Sequence, residues 1–97
     1  MIRSFKGNGT EDIFHGKDSK AARKTCPKDL WRVAARKLDM INFAVALDDL
    51  RIPPNNRLEA LRGERKGQFS IRINQQYRIC FNWNGGYASN IEIVDYH

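Results

Sequence analysis

The last three residues, Asp95, Tyr96 and His97, combine with Arg78 into a set of side chains that suits cleavage of an RNA strand without a metal ion. Such cleavage needs a group that takes the proton of the 2′-hydroxyl, a cation that stabilises charge building on phosphorus, and an acid that protonates the leaving 5′ oxygen. Histidine suits acid or base work near neutral pH, and the planar guanidinium of arginine matches two phosphate oxygens. Tyrosine stacks on a base or joins the proton transfer.

Interpretations without chemistry fit these residues as well. The three terminal residues match a frayed chain end with an incidental histidine, and Arg78 matches a solvated or ion-paired strand arginine. Spacing alone leaves both open. We expect no metal and no cofactor, because His15 and His97 are the only histidines and the sequence has neither a Cys-x-x-Cys motif nor a glycine-rich phosphate loop followed by lysine.

The net charge suggests a polyanionic partner. Seventeen Lys and Arg against eleven Asp and Glu give +6 on 97 residues, a field that attracts nucleic acid, although a solubilising surface charge is the alternative. The length fits a single domain over residues 1–97. No apolar run approaches the roughly 18 residues of a membrane span. Cys26 and Cys80 match no metal-binding spacing, so we expect two reduced thiols in a cytoplasmic protein.

Helical periodicity marks the centre of the chain. An apolar stripe predicts a helix that begins at Pro27, and Trp31, Arg36 and Lys37 are expected off the stripe. The stripe residues are Leu30, Ala34, Leu38 and Ile41. A shorter helix over Ala44–Leu50, ended by Pro53, would complete a helical hairpin.

The N-terminal segment is predicted to hold a short strand over residues 2–6 and a helix from Thr10, as its N-cap, to His15. Residues 17–25 are expected to form a mobile or loosely helical connection.

The last third of the chain changes to strand periodicity. Three alternating segments, residues 69–74, 77–83 and 87–94, are joined by short polar or glycine turns and predict successive antiparallel strands. One face would be apolar and covered by the helices, and the other polar and open. Arg72 and Arg78 fall on the polar face, whereas Phe69, Phe81 and Trp83 are expected in the core.

The block Arg57–Asn74, the strand Tyr77–Phe81 and the ending Ile91–His97 together resemble HigB-type toxins, the killer-protein branch of the RelE/ParE superfamily. The match spans essentially the whole chain. It implies an α+β microbial RNase-like (RelE-type) fold, with two main helices packed on a small twisted antiparallel sheet.

The resemblance also implies activity and partners. Its members cleave mRNA in the ribosomal A site without metal, inhibit translation, and pair with a helix-turn-helix antitoxin of the HigA type. We expect that complex to bind operator DNA and repress its own operon, with no membrane partner.

Residue by residue, the resemblance places Arg78 on the phosphate-stabilising arginine, Tyr96 and His97 on the terminal catalytic pair, and Asp95 on the acid beside them. Glu59 departs from relatives that carry a histidine there, which leaves the number of proton-transfer groups open and shifts weight to His97. The expected RNA-backbone contacts are Arg62, Arg65, Lys66 and Arg72.

A second hypothesis is a non-cleaving module that binds nucleic acid or antitoxin, or acts on DNA gyrase, because the fold alone does not fix the target. A non-cleaving binder would not need the Asp95-Tyr96-His97 ending.

Overall fold

A four-stranded antiparallel sheet, with three α-helices packed against one of its faces, forms the protein. The structure is a computed structural model that describes residues 1–96, so His97 lies outside the described residues. The strands are β1 (Glu59–Ala60), β2 (Gln68–Arg72), β3 (Tyr77–Asn84) and β4 (Tyr87–Asp95), and they lie in this order across the sheet. The α+β class predicted from the sequence is confirmed.

The first two helices, α1 (Asn8–Phe14) and α2 (Lys20–Thr25), pack tightly against each other. A Cβ added to Gly9 would lie 2.6 Å from the Ala21 carbonyl oxygen, so only glycine permits this approach. Residues 17–25 were predicted to be a mobile or loosely helical connection. Residues 20–25 are helical, and Ser19 caps this helix by accepting a hydrogen bond from the Ala22 amide at 3.0 Å.

Thr10 is not the N-cap that the sequence predicted. Gly7 holds that position, and Thr10 lies buried within α1. Its hydroxyl accepts a hydrogen bond from the Ile93 amide of β4 at 3.0 Å. The threonine therefore joins α1 to the sheet instead of ending the helix. The predicted strand at residues 2–6 is reduced to two parallel bridges, Ile2 to Ala88 and Phe5 to Ile91.

The third helix, α3 (Trp31–Phe43), follows a 3-10 turn over Lys28–Leu30 and carries the predicted apolar stripe into the core. Ala34, Leu38 and Ile41 are fully buried. Trp31 and Lys37 were expected off this stripe. Trp31 instead packs against the core, and Lys37 is buried.

The second helix of the predicted hairpin is a 3-10 stretch, Leu47–Arg51. The Asp49 carboxylate accepts hydrogen bonds from the Val45 and Ala46 amides at 2.9 and 3.0 Å, which stabilises the turn that precedes this stretch.

Helices α1 and α2 join α3 in the layer that covers the sheet. The expected pair of main helices is replaced by one long helix and two short ones.

The three predicted strands are confirmed, and their inward residues form the core with the helices. Phe81 is fully buried, and Phe69 and Trp83 pack against the core as expected. Gly85 and Gly86 form the β3–β4 turn with φ of 61° and 91°, a region that favours glycine.

The opposite face of the sheet was predicted to be polar and open to solvent, but it is covered. Ser70, Arg78 and Cys80 lie on it, and all three are buried. The segment that contains β1 and the 3-10 turn Gly63–Arg65 accounts for this, because it bonds to Arg78 of β3 and Glu92 of β4. No helix within residues 1–96 is long and apolar enough to span a bilayer.

Candidate active site

Arg78 in β3 is held on three sides by hydrogen bonds and one ion pair. Its Nε donates to the Ser70 hydroxyl at 2.8 Å, and Nη2 donates to the Arg57 carbonyl oxygen at 2.8 Å. Nη1 lies 2.9 Å from Oε1 of Glu59. Arg57 adopts the left-handed region at φ 47°. The guanidinium is thus fixed in one orientation, as charge stabilisation at a reacting phosphate requires.

Tyr96 follows the last residue of β4, and the β2–β3 turn holds it in place. Its amide donates to the Gln76 carbonyl oxygen at 2.6 Å, and the Arg78 guanidinium carbon lies 5.6 Å from the centre of its ring. Asn74 stiffens the turn by accepting hydrogen bonds from the Gln76 and Tyr77 amides at 2.8 and 2.7 Å. The structure therefore brings Arg78 and Tyr96 together, as the sequence predicted.

A cleft of about 560 Å³ opens beside this pair. Glu59, Arg62 and Tyr96 supply its polar lining, with Ala60 and Leu61 between them. Tyr96 is 43% exposed, so part of its side chain is available to a ligand. The cleft places one carboxylate, one exposed guanidinium and one phenol within reach of a single ligand.

Arg65 is engaged within the protein. Its Nη1 lies 2.9 Å from Oε1 of Glu92 and 3.0 Å from Oε1 of Gln68. Lys6 adds a second cation 3.8 Å from the same Glu92 oxygen. That oxygen is buried and accepts no hydrogen bond of good geometry within residues 1–96, so its attraction to both cations is electrostatic. Arg65 therefore links β4 to the covering segment, which is the segment that contains β1 and the 3-10 turn Gly63–Arg65.

The remaining predicted residues occupy separate places. Lys66 is exposed beside the 3-10 turn Gly63–Arg65. Arg72 pairs with Arg78 in the β2–β3 register, and it also lines a different groove next to α3. Asp95 pairs with Tyr77 and accepts a hydrogen bond from Gln76 Nε2 at 3.0 Å. The predicted role of His97 falls outside the described residues.

Three contributors to the site were missed by sequence reasoning: Glu59 as the partner of Arg78, Ser70 and the Arg57 carbonyl. Ser70 had a readable signal, because it alternates with Phe69 and Ile71 and so faces the same side as Arg78. In the sequence, Glu59 stands out only as a departure from relatives that carry a histidine at this position. The Arg57 carbonyl has no signature in the sequence.

The two cysteines are free, as predicted, and both are buried. Burial raises the pKa of the Cys26 thiol to about 11, and burial likewise raises the pKa of Cys80. Neither thiol is therefore activated as a nucleophile. Residues 1–96 contain no group of three His, Cys, Asp or Glu placed to hold a metal ion.

Comparison with known proteins agrees with this architecture. Residues 3–97 match the family described as RelE-like toxin of type II toxin-antitoxin system HigB. Toxin HigB-1 of Vibrio cholerae is 42% identical over 90 residues, 93% of this chain and 92% of that protein. Endoribonuclease HigB of Proteus vulgaris is 32% identical over 98 residues, with 100% of both chains covered.

Among solved structures, the YoeB-YefM complex from Staphylococcus aureus superposes with a TM-score of 0.61 at 18% identity, over 100% of this chain and 95% of that one. At that identity the likeness concerns the fold. The family match and the two relatives carry the assignment, and the chain belongs to the HigB family of RelE-like toxins from type II toxin–antitoxin systems.

Proposed function

We propose that this chain is the toxin of a type II toxin–antitoxin system and acts as a metal-independent endoribonuclease that cleaves mRNA in the ribosomal A site and so inhibits translation. The observation that carries the proposal is the fixed Arg78 guanidinium, with Tyr96 and Glu59 beside it at a cleft. Residues 1–97 act as one domain. The family match and the Proteus vulgaris relative, named an endoribonuclease, support the same activity.

In this proposal, Arg78 stabilises the negative charge that builds on the phosphate in the transition state. Three of its nitrogens already have partners, but the contact with Glu59 differs from the others because the Glu59 side chain is 53% exposed. A phosphate that enters the cleft can replace this carboxylate at Nη1, while Ser70 and the Arg57 carbonyl keep the guanidinium in place. The guanidinium is therefore already oriented for the transition state, and binding it requires little rearrangement of the protein.

Glu59 then becomes the proton acceptor. Once released from Arg78, its carboxylate takes the proton of the 2′-hydroxyl, and the 2′ oxygen attacks the adjacent phosphorus. The bond from phosphorus to the 5′ oxygen breaks, and the leaving oxygen takes a proton from Tyr96 or His97. The products are a 2′,3′-cyclic phosphate and a 5′-hydroxyl end.

Asp95 acts as a positioning residue. It holds the Gln76 side chain while the Gln76 carbonyl holds the Tyr96 amide. This clamp fixes the end of β4, which Tyr96 follows.

Binding of the RNA backbone is assigned to Arg62, Arg65 and Lys66. Arg62 lines the cleft and Lys66 is exposed next to it, so both can contact phosphates directly. Arg65 contributes less directly, because Glu92 already neutralises it. The ribosome would supply the rest of the positioning.

The partners follow from the family. We propose a helix-turn-helix antitoxin of the HigA type that neutralises the toxin, a complex with that antitoxin that represses its own operon through operator DNA, and a cytoplasmic site of action on ribosome and mRNA. The solved relatives from Staphylococcus aureus, themselves toxin–antitoxin complexes, support an antitoxin partner.

The test is to map mRNA 5′ ends in a translating extract with the wild-type protein, with Arg78→Ala and with Arg32→Ala. Arg32 is an exposed arginine on α3 that lines neither the cleft nor the α3 groove. We expect new ends within codons for wild type and Arg32→Ala, and a loss of at least about 100-fold for Arg78→Ala. Unchanged mRNA with blocked DNA replication would instead favour action on gyrase.

A further inference from the structure

A second depression, the α3 groove, lies between α3 and the β2–β3 turn and has a volume of about 670 Å³. Its walls combine cations with apolar side chains. The cations are Arg36, Lys37 and Arg72, and the apolar residues are Val33, Met40 and Pro53. None of these six residues lines the Glu59–Tyr96 cleft, so the groove is a separate feature.

The cations of the α3 groove have no internal counter-charge. No carboxylate lines the groove, and none of its three cations makes an ion pair anywhere within residues 1–96. Basic residues elsewhere are often neutralised, as Arg65 is by Glu92 and Arg23 by Asp18. An anionic ligand would therefore find unsatisfied charge here.

Lys37 makes this lack of compensation costly. The residue is 6% exposed, and its ammonium donates to the Asn56 side-chain oxygen, which is a neutral partner. Burial lowers the Lys37 pKa, and the nearby Arg36 guanidinium lowers it further. A buried charge normally has an opposite charge beside it. A carboxylate from outside would supply that missing charge.

The apolar half of the groove continues onto an exposed surface. Phe43 stands one helical turn beyond Met40 and is 78% exposed, and Ile52 precedes Pro53 in the chain and is 77% exposed. Large apolar side chains exposed beside a groove are typical of a protein-binding surface. A nucleic-acid backbone offers charge but little apolar surface, so RNA leaves these residues uncovered.

We propose that the α3 groove binds an acidic, amphipathic segment of the cognate antitoxin, with its carboxylates on Arg36 and Lys37 and its apolar side chains on Met40, Pro53, Phe43 and Ile52. This inference rests on the proposed function insofar as it assumes an antitoxin. It adds the surface and the chemistry of the segment that docks there.

The experiment uses the full-length toxin and the antitoxin encoded in the same operon, with the affinity of the purified proteins measured calorimetrically. Arg36→Glu and the double variant Phe43→Ser/Ile52→Ser each alter exposed residues of the surface. Lys24→Glu, an exposed cation on α2, is the matched charge control. We expect both groove variants to weaken binding at least about 10-fold and Lys24→Glu to change it less than about two-fold.

Lys37→Met separates docking from structure. The methionine keeps the length of the side chain and removes the buried charge, so the free toxin should unfold at the same temperature or higher. Affinity for the antitoxin should nevertheless fall at least about 10-fold, a change that a purely structural lysine would not produce without loss of stability. If this variant does not fold, Arg36→Glu decides alone.

Three results would overturn the proposal: wild-type affinity in both groove variants, an operon without an antitoxin gene, or variants that keep antitoxin affinity but lose mRNA cleavage in the extract. The last result would assign the groove to RNA. Failure of the wild-type protein to cleave mRNA would reject the proposed function and leave the affinity comparison intact.

Discussion

The two basic regions of this toxin treat positive charge in opposite ways. Beside the cleft, Arg78 lies 2.9 Å from a carboxylate oxygen of Glu59 in the same chain. In the α3 groove, Arg36, Lys37 and Arg72 have no ion pair within the described residues. The proposed roles account for this difference: the cation proposed for chemistry is held in place by internal partners, whereas the cations proposed for docking are left for the partner to neutralise.

The largest expected effect tests whether Glu59 does more than neutralise Arg78. Glu59→Gln removes the proposed proton acceptor, so cleavage of reporter mRNA should fall about 100-fold or more. Affinity for a non-cleavable RNA with a 2′-deoxy cleavage site should rise, because the carboxylate no longer competes for Arg78. Cleavage rates and filter binding measure the two effects.

A faster Glu59→Gln enzyme would mean that Glu59 only blocks Arg78 and that the proton acceptor is another group.

The next effect concerns the free energy of unfolding. Arg65→Met leaves Glu92, whose side chain is 18% exposed, with the more distant Lys6 as its one remaining cation among residues 1–96. We expect a loss of about 2 kcal/mol, less than for a fully buried pair because water partly screens this one. Arg23→Met breaks an exposed pair with Asp18, which keeps Lys28 as a partner, and should cost clearly less in urea unfolding.

Equal losses in Arg65→Met and Arg23→Met would show that the covering segment gains nothing from its internal charge pair.

A smaller effect is expected at Ser70, which orients the guanidinium without touching RNA. Ser70→Ala removes one hydrogen bond to Arg78 and leaves its Nε without a partner, at a cost of about 1 kcal/mol in stability. Cleavage should decrease by less than in Arg78→Ala, because the guanidinium is still present and the Arg57 carbonyl still holds it. Parallel unfolding and cleavage measurements would contradict this ordering if Ser70→Ala were as inactive as Arg78→Ala.

The smallest effect lies in the groove. Lys37→Met should leave the free energy of unfolding of the isolated toxin unchanged or raise it by up to about 1 kcal/mol, because the desolvated charge it removes has no ionic partner within the described residues. A clear loss of stability would mean that the Asn56 contact contributes more than the ammonium burial costs. Urea unfolding of the two proteins settles the sign.

Much of this fold was predictable, and the wrong expectation for Lys37 shows how one error arose. Period-3.6 and period-2 patterns located α3 and three strands, because burial of one face leaves a local signature. Lys37 was expected off the stripe, although it stands three residues after Ala34 and four before Ile41, a spacing that places it on the buried face. Because lysine is charged, Lys37 was expected on the solvent face, although the helical period places it on the buried one.

The candidate site was less predictable than the fold. The resemblance assigned Arg78 and Tyr96 to one site, and the Arg78 guanidinium carbon lies 5.6 Å from the centre of the Tyr96 ring. The Glu59 contact depends on the register of a two-residue strand, Glu59 opposite Ser70, and on the loop between β1 and β2. That loop turns through Gly63 and Gly67 at φ of 66° and 95°. Such long-range register leaves almost no local pattern to read.

The β2–β3 turn gives the two regions a common wall. Asn74 and Gln75 line the α3 groove, and the Gln76 carbonyl next to them holds the Tyr96 amide. Asn74 stiffens this turn through two backbone hydrogen bonds, so we expect the turn to move as one rigid unit that contacts both regions. We expect a displacement of the turn from the groove side to displace Tyr96 as well. Neutralisation by an antitoxin would then not require the cleft to be covered, since a shift of one turn would be enough to misplace the proposed proton donor Tyr96.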